Sequence, residues 1–442
     1  MEKQIGGPEL QAWRAAFDAD PLNRMRQNCL AHTDIKQVAL DQNLLVKNRP
    51  CFSCEVAGGT ILAQNKTGRC WLFSALNILR AGTIRKEHLK PDFAFSVNYL
   101  NFWDKLEKAN RFLQWMLEHM DQVPHGEEAR ALLRWPVREG GQWFMFRDLV
   151  KKYGLVPAEV MPETYAAADS GNLNQCLNLK LRAGAAELKR LWESSAPRQA
   201  LLDGKERLLG EVYGILCCAL GTPPTSFRYE YYDRDGVYHR LDEQTPLEYA
   251  RTVLEHDLDD YVTVTNYPTR DKPFRRVYQI PGHGNMEGGG PAVYYNLEMA
   301  DIKPMLVRQL QDGEAIWFGC DCIKMMDRQR GLMSRYAYDY QGLFGVSFHM
   351  EKGDMVDFLQ SEPNHNMLLS GVDVLDGAPV RWKVENSWGS EVGHGGYYVM
   401  DDSYLEQYAF LFVLHKRFFT PEQLEDLEQE PILLPPWDSM GI

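Results

Sequence analysis

The sequence has no long apolar run and no excess of positive charge. No window of its 442 residues approaches 18 consecutive uncharged apolar residues, which excludes a conventional transmembrane helix. The opening segment MEKQIGGPELQAW lacks the apolar stretch of a secretory signal, so we expect a cytoplasmic protein. Against 61 acidic residues stand 48 basic ones, giving a formal net charge of −13. This balance argues against a protein whose main task is to coat nucleic acid.

Several motifs of hydrolytic and metal chemistry are also missing. The sequence contains neither G-x-S-x-G nor H-E-x-x-H, which removes the corresponding serine hydrolases and zinc peptidases. Its nine cysteines are irregularly spaced, as expected of free thiols in a reducing compartment. The two close pairs, Cys51 with Cys54 and Cys320 with Cys322, lie far apart and have no accompanying His pair. We therefore expect no zinc site and no cofactor.

The order of patterns along the chain predicts a helical first part and a β-rich last part. Helices are predicted over 8–20, 70–84, 96–119, 142–153, 165–215 and 421–429. Strands are predicted over 314–320, 366–375, 380–385 and 396–400, with a hairpin at 229–239. Segregated helices and mostly antiparallel strands favour the α+β class over a doubly wound sheet.

Cys70 is the cysteine whose surroundings favour reactivity. It follows a polar turn, Gln64–Arg69, and opens the apolar run CWLFSALNILRAGTI. A thiol at a helix N-terminus is exposed to the positive end of the helix dipole, which stabilises the thiolate. The Gln64 amide and the Cys70 backbone N–H would then form an oxyanion hole. The alternative is a buried structural cysteine, and we expect Cys176, Cys217, Cys218, Cys320 and Cys322 to be small core residues of that kind.

A thiolate nucleophile requires a base and a group that orients the base. His365 opens the β-like run HNMLLSGVDV, and Asn386 follows the strand-like run VRWKVE. Two neighbouring strands would place Asn386 against one imidazole nitrogen and leave the other nitrogen for Cys70. Trp388 would shield that hydrogen bond from water. Taken singly, a His before a strand and an Asn after one are more often ordinary polar and turn residues.

Together these segments resemble the papain-like cysteine peptidases. The matching stretches are QNKTGRCWLF, carrying Gln64, Cys70, Trp71 and Phe73, then NHNM with His365, and ENSWG with Asn386 and Trp388. His365 lies 295 residues after Cys70, whereas papain-type spacing is about 130–150 residues. This excess resembles the bleomycin hydrolase and aminopeptidase C branch. Further similar stretches cover 100–113, 140–157, 215–227, 312–321 and 437–441.

The resemblance implies a two-lobed fold, with a helical lobe and an antiparallel β-barrel lobe enlarged by inserted helical or hook segments. The domain boundaries that it implies fall into five ranges. These are an N-terminal helical segment (1–50), the helical catalytic lobe (51–160), an inserted region for oligomerisation (161–300), the β-barrel lobe (301–415), and a C-terminal helix and tail (416–442). The branch assembles as hexamers, so a homohexamer is expected.

The resemblance also implies an aminopeptidase that removes N-terminal residues from peptides and is gated by its own C-terminus. The catalytic residues would be Cys70, His365 and Asn386, with Gln64 in the oxyanion hole and Trp71 and Trp388 in support. The gating residues would be Met440, Gly441 and Ile442. The bulky Ile442 differs from the small residues usual in family tails, and would either set the gate further back or shift the tail.

Three alternatives follow from these observations. Oligopeptidase or endopeptidase activity is the nearest, because of the unusual tail. A transglutaminase-like acyl transferase would use the same Cys and His but is disfavoured by Asn386 and Trp388. A nucleic-acid-binding barrel, with the basic segment Arg270–Arg276 lining a channel, is the least favoured because a solvated loop explains that segment equally well.

Overall fold

The helical half of the protein is built around one buried helix. The structure, a computed structural model, describes residues 4–441. The central helix runs from Cys70 to Lys86, and its near-uncharged sequence is buried on all sides through Ile84. A helix without a polar face is stable only inside a core. The longer helix beside it begins after Ser96, whose side chain accepts the Tyr99 N–H at 3.0 Å.

Seventeen α-helices occur among residues 4–441. They are α1 (Gly7–Ala19), α2 (Pro21–Leu30), α3 (Ile35–Ala39), α4 (Gln42–Lys47), α5 (Cys70–Lys86), α6 (Val97–Glu118), α7 (Glu127–Arg134), α8 (Trp143–Tyr153), α9 (Tyr165–Ala168), α10 (Gly171–Glu193), α11 (Arg198–Leu220), α12 (Pro246–Val253), α13 (Met299–Gln311), α14 (Tyr340–Phe344), α15 (Lys352–Asp357), α16 (Asp402–Tyr408) and α17 (Pro421–Asp426). None of them combines the length and hydropathy needed to cross a membrane.

The strands form one large sheet and a separate hairpin. They are β1 (Cys54–Glu55), β2 (Phe227–Tyr232), β3 (Tyr238–Gln244), β4 (Tyr261–Thr265), β5 (Arg276–Gln279), β6 (Val293–Asn296), β7 (Ile316–Cys320), β8 (Met326–Asp327), β9 (Leu332–Met333), β10 (His365–Leu375), β11 (Ala378–Glu385), β12 (Tyr397–Asp401), β13 (Ala409–His415) and β14 (Ile432–Leu433). The twelve-stranded sheet has the order β14-β5-β6-β4-β13-β7-β10-β11-β12-β9-β8, with β1 on β10, and β2 pairs with β3. Most pairs are antiparallel, as predicted.

The register of the central strands brings distant residues to one end of the sheet. β7 pairs antiparallel with β10, with His365 opposite Cys320. β10 pairs antiparallel with β11, with Leu368 opposite Glu385. Since Glu385 ends β11, Asn386 emerges at the same end of the sheet at which β10 begins. The two strands therefore bring His365 and Asn386 together.

The predicted elements are largely confirmed, and so is the α+β class. The helices near 8–20, 70–84, 96–119 and 142–153 and the hairpin near 229–239 are present. The region predicted as helix over 165–215 is three helices, because Ser170–Gly171 and Pro197 break it. The helix after Thr420 ends at Asp426 rather than at Gln429. Strands β4, β5 and β6 lie inside the 161–300 range and belong to the main sheet, while the domain boundaries themselves stay a prediction.

Two expectations about the cysteines are wrong. Cys320 is fully buried as expected, whereas Cys176 and Cys218 are exposed. The buried stripe of α10 includes Leu177, and that of α11 includes Leu216. Cys176 and Cys218 lie outside these buried stripes, on the faces of α10 and α11 that point away from the core. Helical periodicity, rather than the apolar character of the thiol, decides the exposure of these two residues.

Candidate active site

Cys70 is the first residue of α5 and is almost completely buried. The turn before it is fixed by the charged carboxylate of Glu139, which accepts the Gly68 N–H at 2.7 Å. Burial alone raises the pKa of Glu139, but Lys105 and hydrogen bonds from Ser170, Asn174 and Gly68 bring it down to about 2. The anionic side chain therefore holds the turn that presents the thiol.

The backbone opposite Cys70 is a close-packed glycine pair. Gly140 donates its N–H to the Gly68 carbonyl at 3.1 Å. A Cβ atom on Gly141 would lie 2.7 Å from the ring of Trp71, so that only glycine fits without displacing the indole. The Gly141 carbonyl also accepts a long hydrogen bond of 3.4 Å from Asn366, the residue after His365. This loop thus borders the cleft between the two halves.

His365 and Asn386 make the hydrogen bond that their strands predict. His365 Nε2 lies 2.9 Å from Asn386 Oδ1, and the same oxygen accepts the Ser387 backbone N–H at 2.8 Å. Because the Ser387 N–H requires an acceptor, that atom is the amide oxygen, and His365 Nε2 must be the donor. The imidazole therefore presents Nδ1 to Cys70, with which it hydrogen-bonds.

The thiol and the imidazole shift each other's pKa. Burial alone raises the pKa of Cys70, but the charge and hydrogen bond of His365, with backbone groups of Asn366 and Trp71, bring it below its usual value. Burial alone lowers the pKa of His365, but the Cys70 charge and the hydrogen bonds to Cys70 and Asn386 raise it above its usual value. These shifts favour a thiolate–imidazolium pair over the neutral pair.

Gln64 is held in front of the cleft by three contacts. Its backbone N–H donates to the Ser387 carbonyl at 2.7 Å, and its Oε1 accepts the Ser387 hydroxyl at 2.6 Å. Its Nε2 donates one hydrogen to the Thr67 carbonyl at 2.5 Å. A primary amide has two N–H donors, so the second is available for a substrate oxyanion. The Cys70 N–H, at the first helical residue, has no acceptor within its own helix.

The two predicted supporting tryptophans flank the Cys70–His365 pair, Trp71 beside Cys70 and Trp388 on His365. Trp388 stacks on the His365 ring with centroids 4.8 Å apart and planes at 27°. Trp71 is fully buried, and its carbonyl accepts the Trp317 indole N–H at 3.2 Å. Trp388 covers the imidazole from solvent, and Trp71 fixes the start of α5 against strand β7.

The predicted gating tail packs against the segments that follow strands β4 and β5. Tyr267 donates its hydroxyl to the Ser439 carbonyl at 2.8 Å, and Lys272 pairs with Asp438 at 3.2 Å. Met440 is completely buried. A Cβ on Gly441 would lie 2.5 Å from Ile280, which places the tail directly on the loop after β5. Ile442 lies outside the described residues.

Comparison with known proteins identifies the family of the chain. The model of the Peptidase C1-like family matches residues 4–441. The chain belongs to this family. Aminopeptidase C of Listeria monocytogenes is 36% identical over 441 residues, covering 100% of this chain and 99% of the relative. Aminopeptidase G of Lactobacillus delbrueckii subsp. lactis is also 36% identical, with 100% of both chains covered. The crystal structure of PepW from Lactobacillus rhamnosis shows 38% identity, a TM-score of 0.97 and full coverage of both chains.

Family membership makes this chain a cysteine-type peptidase, as the sequence predicted. The structure brings together Gln64, Cys70, Trp71, His365, Asn386 and Trp388. Their individual catalytic roles stay predictions.

Sequence reasoning missed three residues around this constellation. Ser387 lies within the quoted ENSWG stretch, yet its link to Gln64 depends on a contact across 323 positions. Glu139 directly precedes the glycine pair, and its position there was the one available signal. Arg328, whose guanidinium carbon lies 4.4 Å over the Trp388 ring, had no signal in the sequence.

The hydrogen bond from Asn386 predicts a change in the pH profile. The mechanism requires the imidazolium form of His365, which is populated only below the pKa of this residue. A lower pKa of His365 therefore narrows the pH range of activity from its alkaline side. Asn386→Ala removes a bond that raises this pKa. Hydrogen bonds to charged groups contribute about 1.5–3 kcal/mol. The alkaline limb of the pH profile of kcat/KM should therefore move to lower pH by about one to two pH units.

Asn364→Ala is the matched control for this experiment. Asn364 also adjoins His365, but its amide donates to Asp321 at 2.6 Å instead of the imidazole. We expect its alkaline limb to stay in place. The pH profiles of kcat/KM are measured with an aminoacyl aminomethylcoumarin as substrate. If the alkaline limb of Asn386→Ala coincides with that of the wild type, the result contradicts the assigned role of Asn386.

Proposed function

We propose that the protein is an aminopeptidase in which Cys70 attacks the first peptide bond of a peptide with a free N-terminus. The observation that carries the proposal is the buried Cys70–His365 pair oriented by Asn386 at 2.9 Å. The full-length similarity to proteins named aminopeptidase C and aminopeptidase G supports the exopeptidase part. The proposed chemistry uses side chains, the Cys70 backbone N–H and water.

The reaction proceeds by acyl transfer. The Cys70 thiolate adds to the scissile carbonyl, and the oxyanion accepts hydrogen bonds from the Cys70 N–H and the free Gln64 N–H. One such donor typically contributes about 3–4 kcal/mol to catalysis. His365 gives its proton to the leaving amine, which breaks the C–N bond and leaves a thioester. His365 then takes a proton from water, whose hydroxyl hydrolyses the thioester and restores the thiolate.

The tail is proposed as the gate that confines the enzyme to peptide ends. Support comes from its anchoring: the buried Met440, the Lys272–Asp438 ion pair and the Tyr267 hydrogen bond hold it in one place. The loop on which it packs contacts α8 through His283, whose ring lies 5.8 Å from that of Phe144. Phe144 follows the Gly140–Gly141 pair closely in sequence. The gate would comprise Met440, Gly441 and Ile442, with the terminal carboxylate facing the substrate ammonium.

We also propose assembly into a homohexamer, as the resemblance to the bleomycin hydrolase branch implies. Helix α1 contains no buried residue. Leu10, Trp13 and Phe17 lie three and four positions apart on it and are 55%, 56% and 43% exposed. Such spacing places them on one face, and an apolar face of this kind is typical of an interaction surface. A second copy of the chain would cover it.

A cytoplasmic location is proposed on the state of the thiols. All nine cysteines are free, and Cys29, Cys51, Cys176 and Cys218 are exposed. Exposed free thiols persist where the medium is reducing.

The nucleic-acid-binding alternative loses its main support. Within the basic segment Arg270–Arg276, Lys272 is buried and pairs with Asp438, and Arg275 pairs with Asp426 at 2.8 Å. Lys272 and Arg275 are thus neutralised by acidic residues of the C-terminal region, while Arg270 and Arg276 are exposed, as expected of a solvated loop.

The product pattern tests the exopeptidase assignment. Wild-type enzyme incubated with an unblocked hexapeptide should release single N-terminal amino acids in sequence, and the N-acetylated peptide should remain intact. Mass spectrometry identifies the products. Cys70→Ala should lose all turnover while keeping the wild-type melting temperature, since the change removes only one sulfur atom. Dipeptides or internal cuts by wild-type enzyme would favour the oligopeptidase alternative instead.

Removal of the tail tests the gate. Deleting 439–442 should open the cleft to blocked chains, so that the N-acetylated hexapeptide becomes a substrate. Trp437→Ala is the control, because this side chain is 80% exposed and lies just before the packed segment. The control should behave like wild type. A folded deletion variant that still refuses the acetylated peptide would exclude the tail as the gate.

The mass in solution tests the assembly. Light scattering at micromolar concentration should give six times the chain mass of 50.9 kDa. Trp13→Glu with Phe17→Glu should produce smaller species, because burying a carboxylate in the contact is costly. Tyr165→Glu changes an 84% exposed aromatic elsewhere and serves as the control. A monomeric wild-type protein would rule the hexamer out.

A further inference from the structure

Arg328 carries a positive charge directly beside the proposed catalytic centre. It follows strand β8 and is exposed to solvent. Its guanidinium carbon lies 4.4 Å over the ring of Trp388, and that ring stacks on His365 at 4.8 Å. The same indole therefore contacts both a solvent-facing cation and the imidazole of the proposed mechanism.

This charge has no acidic partner. The neighbouring carboxylate, Asp327, accepts the side chain of Arg330 at 2.8 Å and its backbone N–H at 2.9 Å. Across residues 4–441 no salt bridge includes Arg328. The guanidinium also hydrogen-bonds to the Tyr398 hydroxyl, which holds it over the indole and leaves further N–H donors of its planar fork for a ligand. The arrangement suits a planar anion arriving from solvent.

The direction of the substrate follows from the mechanism. The imidazole must reach the scissile nitrogen to protonate it, so the leaving portion of the peptide begins at His365. The acyl portion is bonded to Cys70 and, in the proposed mechanism, extends away from the imidazole. The leaving portion therefore passes over Trp388 toward Arg328.

We propose that Arg328 binds the free α-carboxylate of the leaving portion and so makes the enzyme favour short peptides. This inference rests on the aminopeptidase function proposed above. One extended residue spans at most about 3.6 Å, so a leaving portion of about one to three residues brings its carboxylate from His365 to the guanidinium. Longer substrates place their carboxylate beyond it and gain nothing from the charge.

The strength of the contact sets the size of the effect. Exposed ion pairs are weak, while planar pairing of a guanidinium with a carboxylate through two hydrogen bonds is stronger. We expect a preference of about three- to tenfold in kcat/KM for an acid over its neutral amide. The preference should shrink as salt rises, because ions screen exposed charges.

The experiment compares Leu-Gly-Gly with its C-terminal amide, using leucyl aminomethylcoumarin as a substrate without a carboxylate. Wild-type enzyme should favour the acid over the amide. Arg328→Gln should cleave acid and amide at equal rates and keep coumarin release near the wild-type rate. Arg335→Gln is the matched control, since Arg335 lies 5.8 Å over Tyr336 and hydrogen-bonds to His349. The control should keep the wild-type preference.

Two results would overturn the proposal while leaving the aminopeptidase function intact. One is a wild-type enzyme that releases coumarin but treats acid and amide alike. The other is an Arg328→Gln enzyme that loses the same factor on all three substrates, which would assign Arg328 to the positioning of Trp388. A wild-type enzyme that cleaves none of the three would contradict the aminopeptidase function itself.

Discussion

The buried pair of Cys70 and His365 is the interaction on which the proposed active site depends. Each partner alone would be driven toward its neutral form by burial, and each keeps its charge because the other is present. The two residues come from different halves of the chain, at the start of a helix and the start of a strand. The chemistry therefore requires the helical half and the sheet to be held in register to within hydrogen-bond distance.

Several contacts across the cleft supply that register. The Ser74 hydroxyl on α5 donates to the Asn366 carbonyl at 3.0 Å, directly beside His365. The Trp317 indole, on the strand next to β10, donates to the Trp71 carbonyl. Ser387 ties Gln64 to the residue that follows Asn386. The thiol, the imidazole and the Gln64 amide thus share one framework, and a shift of either half would disturb all three together.

The extent to which this site is predictable from sequence follows from the range of its contacts. The helix beginning at Cys70 and the strands flanking His365 and Asn386 are local patterns, and antiparallel pairing then joins the last two residues. Ser387, Glu139 and Arg328 act through partners fixed only by tertiary packing, so no local pattern announces them. Residue type alone predicts that Cys176 and Cys218 are buried. They are exposed because their positions on α10 and α11 lie outside the buried stripes of these helices.

The two sides of the nucleophile pose different physical problems. On the acyl side an aminopeptidase must accept the α-ammonium group of the substrate and exclude any residue that would precede it, which requires a fixed wall. The tail is packed firmly enough to form such a wall. On the leaving side products of variable length must depart, so a rigid wall would slow release. A single exposed cation on Trp388 offers attraction without enclosure, because a solvated ion pair forms and breaks easily. Selectivity for the start of a chain and tolerance of its remainder can therefore coexist in one cleft.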